Sequence, residues 1–347
     1  MTVVMTLVVR DEADIVDAQI AYHLNAGVDF VIASDHESRD GTTEILESYA
    51  RDGYLHRIPV QGEVRESAWR THMARLAATD FSADWVINTD ADEFWWPRGE
   101  SLNDVLVVIP PRYGVVQALV RVFPPRPGDG PFATRMTARP SLLVPAEEWQ
   151  EPLEWGLRPV YRVDPTIDAD SGDGILGGRR VPLRAWYPIE VLRFPLRSLE
   201  RSERVLARMS EPRCRIEAEA LEAYREGVLG ERFAELVLDD ERLARGLADG
   251  LLVVDVRLRD ALHVLQEGAE PERRFALPWD GESRLELRAP SIVDDASYAV
   301  ECAAVGEVDL VGLDQHIREL EQRISLLEAR FWPRVVRRLA RLGRRRR

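Results

Sequence analysis

The segment INTDADEFWWP, residues 87–97, places Asp90, Asp92 and Glu93 within four positions. Adjacent carboxylates repel one another, so the cluster is costly unless hydrogen bonds or a cation offset its charge. A hard divalent cation, Mn²⁺ or Mg²⁺, bridging to substrate phosphates would do so. The bland reading of an Asp-X-Asp is a solvated acidic turn. Here an apolar run precedes it and Phe94, Trp95 and Trp96 follow, which implies a walled site. A second cluster, SDHESRDGT at 34–42, puts Asp35 at the tip of another apolar run and Asp40 before a helical pattern. Asp35 could hold a ribose or the edge of a base, and Asp40 suits a helix cap; a capped turn with no ligand is the alternative.

Those positions matter because ligands of open α/β sheets bind beyond the carboxyl ends of the strands. The apolar runs predict strands at Val3–Val9, Asp29–Ser34, Tyr54–Val60, Asp84–Thr89 and Gly114–Phe123. Helical spacing fills the gaps at Ala13–Ala26, Thr42–Arg51, Glu63–Thr79 and Ser101–Ile109. The alternation predicts an α/β fold with a mostly parallel sheet flanked by helices. After the Pro/Gly loop at 124–131, short strand-like runs mix with turns to Trp186, and helix formers dominate from Pro195. Helices are expected at Leu199–Met209, Ile216–Gly227 and Arg232–Leu247, and strands at 253–258 and 284–289.

Leu313, Ile317, Leu320, Ile324, Leu327 and Phe331 form a heptad seam of under three heptads. It would serve a helix packed on its own domain, a homodimer contact or a membrane-proximal helix. From Arg330 to Arg347 there are nine arginines and no acid, an amphipathic tail suited to peripheral contact with anionic lipid. The domain reading is a catalytic domain over 1–205, with its halves meeting near 125, a mostly helical extension over 206–310, and the heptad helix and tail over 311–347.

All 46 basic residues of the 347 are arginine, which excludes lysine Schiff bases and a Walker-type phosphate loop. There are 60 acids and a net charge of -14, and the tail hides a still more acidic body, so no nucleic acid partner is expected. Two cysteines, Cys214 and Cys302, suit a reduced cytoplasmic chain, and no apolar run is long enough to span a membrane. The apolar N-terminus lacks a basic leader and reads as a buried strand rather than a signal peptide.

Taken jointly and in order, VVRDEADIV (8–16), SDHESRDGT (34–42) and DWVINTDADEF (84–94) resemble glycosyltransferase family 2. They are closest in style to its bacterial branch with a strand-end Asp-Ala-Asp-Glu-Phe motif, and RAWYPIEVLRFPLRS (184–198) resembles a later block of that branch. The resemblance covers roughly residues 1–205. It implies a GT-A fold and a hexosyltransferase-like enzyme moving sugar, with inversion, from a nucleotide-sugar donor to a glycan or lipid-linked acceptor of the cell envelope. The cysteine usage suits a cytoplasmic protein, and the arginine tail would make any peripheral contact with the inner face of the plasma membrane. By position, Asp35 would meet the base, Asp90 the ribose or metal, and Asp92 the divalent cation on the diphosphate. Val9, Arg10 and Glu12 would line the nucleotide pocket, and Arg65 or Arg70 would reach a phosphate.

Two departures stand out. Relatives place a histidine where this chain has Arg193, and a Gly-Asn-His near SGDG at 171–174. A guanidinium at 193 suits the diphosphate leaving group, and Arg197 with Ser198 would make an anion-binding pair or a structural one. For the base on the acceptor hydroxyl, Asp168, Asp170 and Asp173 are candidates, with Asp173 preferred for its neighbouring glycines; each also reads as an ordinary loop acid. Trp95, Trp96 and Trp186 would stack on sugar or uracil rings or simply pack. His23 and His72 fall in helical patterns and read as structural or surface groups. The alternatives are a nucleotidyltransferase, which lacks its usual glycine-rich loop here, and a weakly active homologue that binds nucleotide-sugar or serves assembly.

Overall fold

The computed structural model describes residues 1–61, 66–141, 156–165, 181–183, 186–208, 215–278, 283–287 and 298–306. The apolar run Val3–Val9 forms strand β1, buried along nearly its whole length. A strand covered on both faces needs such a continuous run. Parallel neighbours lie on each side, β2 (Phe30–Asp35) and β4 (Trp85–Asp90), and β3 (Leu55–Pro59) continues beyond β2. Helices α1 (Val16–Asn25), α2 (Thr42–Arg51) and α3 (Glu66–Thr79) lie between these strands in the chain. The order β3-β2-β1-β4 means that the chain leaves β1 in one direction and returns to its other side. A crevice at the carboxyl ends of β1 and β4 follows from that switch.

The rest of the sheet is mixed. It runs on from β4 through β8 (Leu157–Arg162), β6 (Tyr113–Val122) and β10 (Ile189–Arg193) to β5 (Glu93–Pro97), with β9 (Val181–Leu183) also on β6. β8 is antiparallel to β4 and β6, and β5 to β10. Among the described residues, five of the eight pairings in this sheet are parallel. The segment Phe94-Trp95-Trp96, expected as a site wall, is therefore an edge strand. Three strands separate β4 from β5, yet only Ala91 and Asp92 join them. Three Cα steps reach about 11 Å, against roughly 19 Å for four strand spacings in a flat sheet. The sheet must therefore curl until the start of β5 stands beside the end of β4.

Between β5 and β6, Ser101 caps the short helix α4 (Leu102–Val107) by accepting the Asp104 amide at 3.0 Å. Helix α5 (Phe132–Arg135) and strand β7 (Ala138–Pro140) follow β6. The helical extension holds α6 (Leu199–Ala207), α7 (Arg215–Glu226), α8 (Leu229–Leu236), α9 (Asp240–Ala248) and α10 (Arg257–Glu267), with β11 (Leu252–Val254) pairing β7. The helix expected over Arg232–Leu247 is two helices, because Val237 is extended and Asp239 caps α9 by accepting the Arg242 amide at 2.8 Å. The strand expected over 253–258 stops at Val254. There Asp255 takes hydrogen bonds from Arg139 and Arg257, and α10 begins. Of the strand expected over 284–289, residues 284–287 are irregular and 288 and 289 lie outside the described residues.

Met1–Ile292 is one compact unit and Val293–Arg347 a second; of the second, residues 298–306 are described, as a helix. The heptad seam, the arginine tail, Cys214, the loop with Asp168, Asp170 and Asp173, and Arg65 lie outside the described residues. No described helix is long and apolar enough to cross a membrane.

Candidate active site

Strand register brings the two acidic motifs together. Val9 pairs with Asp35 across β1 and β2, and Val8 with Asp90 across β1 and β4. The two-residue turn then delivers Asp92 and Glu93, and the carboxylates of Asp90, Asp92 and Glu93 offer oxygens all within 4.8 Å of one another. An all-oxygen set of that spacing fits a hard divalent cation.

Each carboxylate also faces an arginine from a different element. Arg70 of α3 hydrogen-bonds Asp90 Oδ1. Arg158 of β8 donates from Nε to Glu93 Oε1 at 3.0 Å. Arg193, paired with Glu93 in the β5–β10 ladder, holds Nε 3.6 Å from Asp92 Oδ2 and 3.9 Å from Glu93 Oε1. That nitrogen is buried and makes no hydrogen bond, while the Arg193 side chain as a whole is 31 % exposed. Burial pushes the Glu93 carboxyl above its ordinary value, with Arg158 pulling it down and the Asp90 charge adding to the rise. Burial disfavours the Arg193 charge, but Asp92, Glu93 and Asp90 more than restore it.

A second ion cluster adjoins the first. Glu12 accepts from Arg197 Nη2 at 2.6 Å and from Arg201; Asp14 accepts from Arg197 Nε at 2.7 Å; Arg208 pairs with Asp11. Burial raises the Glu12 carboxyl against the pull of these two arginines. It would raise Asp14 as well, but the hydrogen bond and charge of Arg197 hold that group below its ordinary value. Arg197 is buried, and Ser198 caps α6 by accepting the Arg201 amide at 3.2 Å, so this pair takes the structural of its two expected roles. Glu12, expected to line the nucleotide pocket, is hydrogen-bonded by Arg197, just before α6, and by Arg201 of α6.

The SDHESRDGT segment braces the loop after β1. Ser38 accepts the Asp11 amide at 3.1 Å, Thr42 the Glu12 amide at 2.8 Å, and Asp40 the Ala13 amide at 3.0 Å and the Thr42 amide at 3.1 Å. Asp11 and Glu37 take left-handed backbone angles, φ 55° and 56°, which non-glycine residues hold only under such bracing. Asp35 is buried and accepts from Thr43 at 2.5 Å, Ser38 N at 3.2 Å and Arg57 at 3.4 Å. Val9 is buried and offers its carbonyl to the His36 amide at 3.0 Å, whereas Arg10 is exposed.

The aromatic residues depart from a stacking role. Trp95 and Trp96 are core: Trp95 Nε1 donates to Thr89 at 2.8 Å, and Trp96 stacks on Tyr22 at 5.8 Å. Trp186 is exposed but lies before β10, beyond the strand end opposite Arg193. His23 is fully buried, donating Nδ1–H to the Gln19 carbonyl at 2.7 Å and accepting the Trp95 amide on Nε2 at 3.0 Å. Burial lowers its pKa to about 4. His72 is exposed, so both histidines are structural or surface groups. Sequence reasoning missed Arg158, because β8 sits in a stretch of weak strand pattern and nothing nearby in the chain pairs it with Glu93.

No curated protein matches the chain. Among solved structures, it is similar to S. aureus TarS at 15% identity and a TM-score of 0.31, over 67% of this chain and 44% of that one. It thus spans less than half of that TarS chain. It is also similar to TarS 1–349 in complex with UDP, at 14% identity and a TM-score of 0.31, over 72% of each chain. Glucosyl-3-phosphoglycerate synthase from Mycobacterium tuberculosis, in complex with phosphoglyceric acid, is similar at 18% identity and a TM-score of 0.24, over 37% of this chain and 45% of that one. Residues 4–111, from β1 through α4 with both acidic motifs, match the family model of glycosyltransferase family 92, which supports a glycosyltransferase.

Proposed function

We propose that the chain is an inverting, divalent-metal-dependent glycosyltransferase that moves a hexose from a nucleotide-sugar donor to a glycan or lipid-linked acceptor of the cell envelope. The observation that carries this reading is the cluster of Asp90, Asp92 and Glu93, gathered within 4.8 Å at the switch point of the sheet. The family 2 style of the three motifs and the match of residues 4–111 to family 92 both support a donor site there. Asp90 and Asp92, with Glu93, would hold Mn²⁺ or Mg²⁺, which when bound neutralises charge on a departing diphosphate. Arg193 stands at the same place with a partly exposed side chain, and its guanidinium is a fork suited to phosphate oxygens. Asp35 meets the nucleoside base, and the exposed Arg10 lines the nucleotide pocket. Asp173 takes the proton of the acceptor hydroxyl, and the arginine tail meets an anionic membrane surface. Titration with UDP and GDP, each with and without Mn²⁺, tests the donor reading. Binding of one of them, tightened by the metal, is expected; no binding of either under any condition would remove it.

A further inference from the structure

Three carboxylates crowd within 4.8 Å, and three guanidiniums stand against them: Arg70 on Asp90, Arg158 on Glu93, and Arg193 beside Asp92 and Glu93. Among the described residues, three guanidiniums thus face the three carboxylates. A divalent cation arriving alone would face three positive groups as well as its ligands. A nucleoside diphosphate arriving alone would meet three acids. Arriving together, the cation and the diphosphate can replace the arginines for the carboxylates and the carboxylates for the arginines.

We propose that Arg70, Arg158 and Arg193 are resident counter-ions of the acidic cluster, so that divalent cation and nucleoside diphosphate bind strongly only together. This inference rests on the donor reading and adds the coupling of its ligands. The three arginines are unequal. Arg158 makes a 3.0 Å hydrogen bond to a carboxylate that is almost wholly buried, so it is fixed. Arg193 makes only longer contacts, has an inner nitrogen without a hydrogen bond, and keeps a partly exposed side chain, so it is the one able to turn. Its backbone stays in the β5–β10 ladder while its guanidinium passes from Asp92 to a phosphate oxygen. Asp92 is then released to the metal.

The test is calorimetry on the full chain with Mn²⁺ alone, UDP or GDP alone (whichever binds), and each in the presence of the other. Saturating nucleotide should tighten Mn²⁺ at least tenfold, and Mn²⁺ should tighten the nucleotide by the same factor, since coupling is reciprocal. Arg193→Gln should tighten Mn²⁺ alone several-fold and weaken nucleotide in the presence of Mn²⁺ at least tenfold. Arg70→Gln, which removes the hydrogen bond from Arg70 to Asp90, should likewise tighten Mn²⁺ alone and serves if the first variant fails to fold. Equal Mn²⁺ affinity with and without nucleotide, or unchanged Mn²⁺ affinity in a folded variant, would overturn the counter-ion role while leaving the donor reading in place. No nucleotide binding at all would remove both.

Discussion

Within the cluster the carboxylates are differently engaged. Glu93 is buried under Arg158, and Asp90 is bonded to Arg70, whereas the nearest cation to Asp92 stands 3.6 Å away. Asp90 is the more exposed of the two, 27 % against 14 %, so it is the looser hold on Asp92, not its exposure, that makes Asp92 the member readiest to meet a metal. Asp92→Asn keeps shape and removes the charge. Metal-dependent transfer should fall by about a hundredfold or more, with the unfolding free energy held within about 1 kcal/mol. Activity assays with Mn²⁺ beside denaturant titration check this, and unchanged activity would take Asp92 out of the mechanism. The residue types here were legible in the sequence, because strand-end acids announce themselves by position. Their partners were not. Arg158 and Arg70 come from separate elements, and only the curl of the sheet brings Arg158 to Glu93.

Elements with one dominant period were read nearly to the residue. β1 and α2 lie where expected, and β2, β3, β4 and β6 differ by a residue or so. β5 was hidden because FWW looks the same as a wall or as a strand, and only its antiparallel pairing with β10 decides. The start of α10 was hidden because apolar VVDVRL carries a strand signal that buried Asp255 interrupts. Fastening between elements also falls to charge. Glu190 of β10, buried, accepts from Arg121 of β6 at 2.7 Å, from Arg98 after β5 at 3.1 Å, and from Arg257 of α10 at 2.7 Å. Burial alone would raise its carboxyl, but Arg257 and Arg121 hold it well below the usual range. Glu190→Gln leaves buried Arg121 and the less buried Arg98 and Arg257 without their shared anion. A loss of about 3–5 kcal/mol is expected by chemical denaturation, and a loss below about 1 kcal/mol would show that Glu190 does not fasten these elements.

For the whole molecule, stability should follow proton uptake. His23 is neutral in the core, with its pKa lowered to about 4 by burial, against an ordinary value near 6.5. The unfolded chain therefore binds a proton that the folded one refuses. Stability is lost as pH falls from about 6.5 towards 4, by up to about 1.4 kcal/mol per pH unit. Asp255 follows: burial opposes its charge, yet Arg257 and Arg139 hold it at about 2, so its contribution fades as pH falls from the ordinary carboxylate value to about 2. Glu12 and Glu93, raised by burial, act in the opposite sense, gaining stability for the fold as they protonate. Comparing wild type with His23→Gln cancels those terms. Denaturation curves between pH 7.5 and 4.5 should show a steeper decline for the wild type, and parallel declines would contradict the assignment of His23.

The pairing of β5 with β10 also sets an order of assembly during synthesis. Glu93 and Arg193, partners in one ladder, are separated by one hundred positions in the chain. The acidic turn thus emerges from the ribosome long before Arg158 and Arg193 exist to face it, and β5 waits as an unpaired edge. The first half of the sheet can form its parallel strands by local crossovers, but its chemical end stays unfinished until β10 closes the curl.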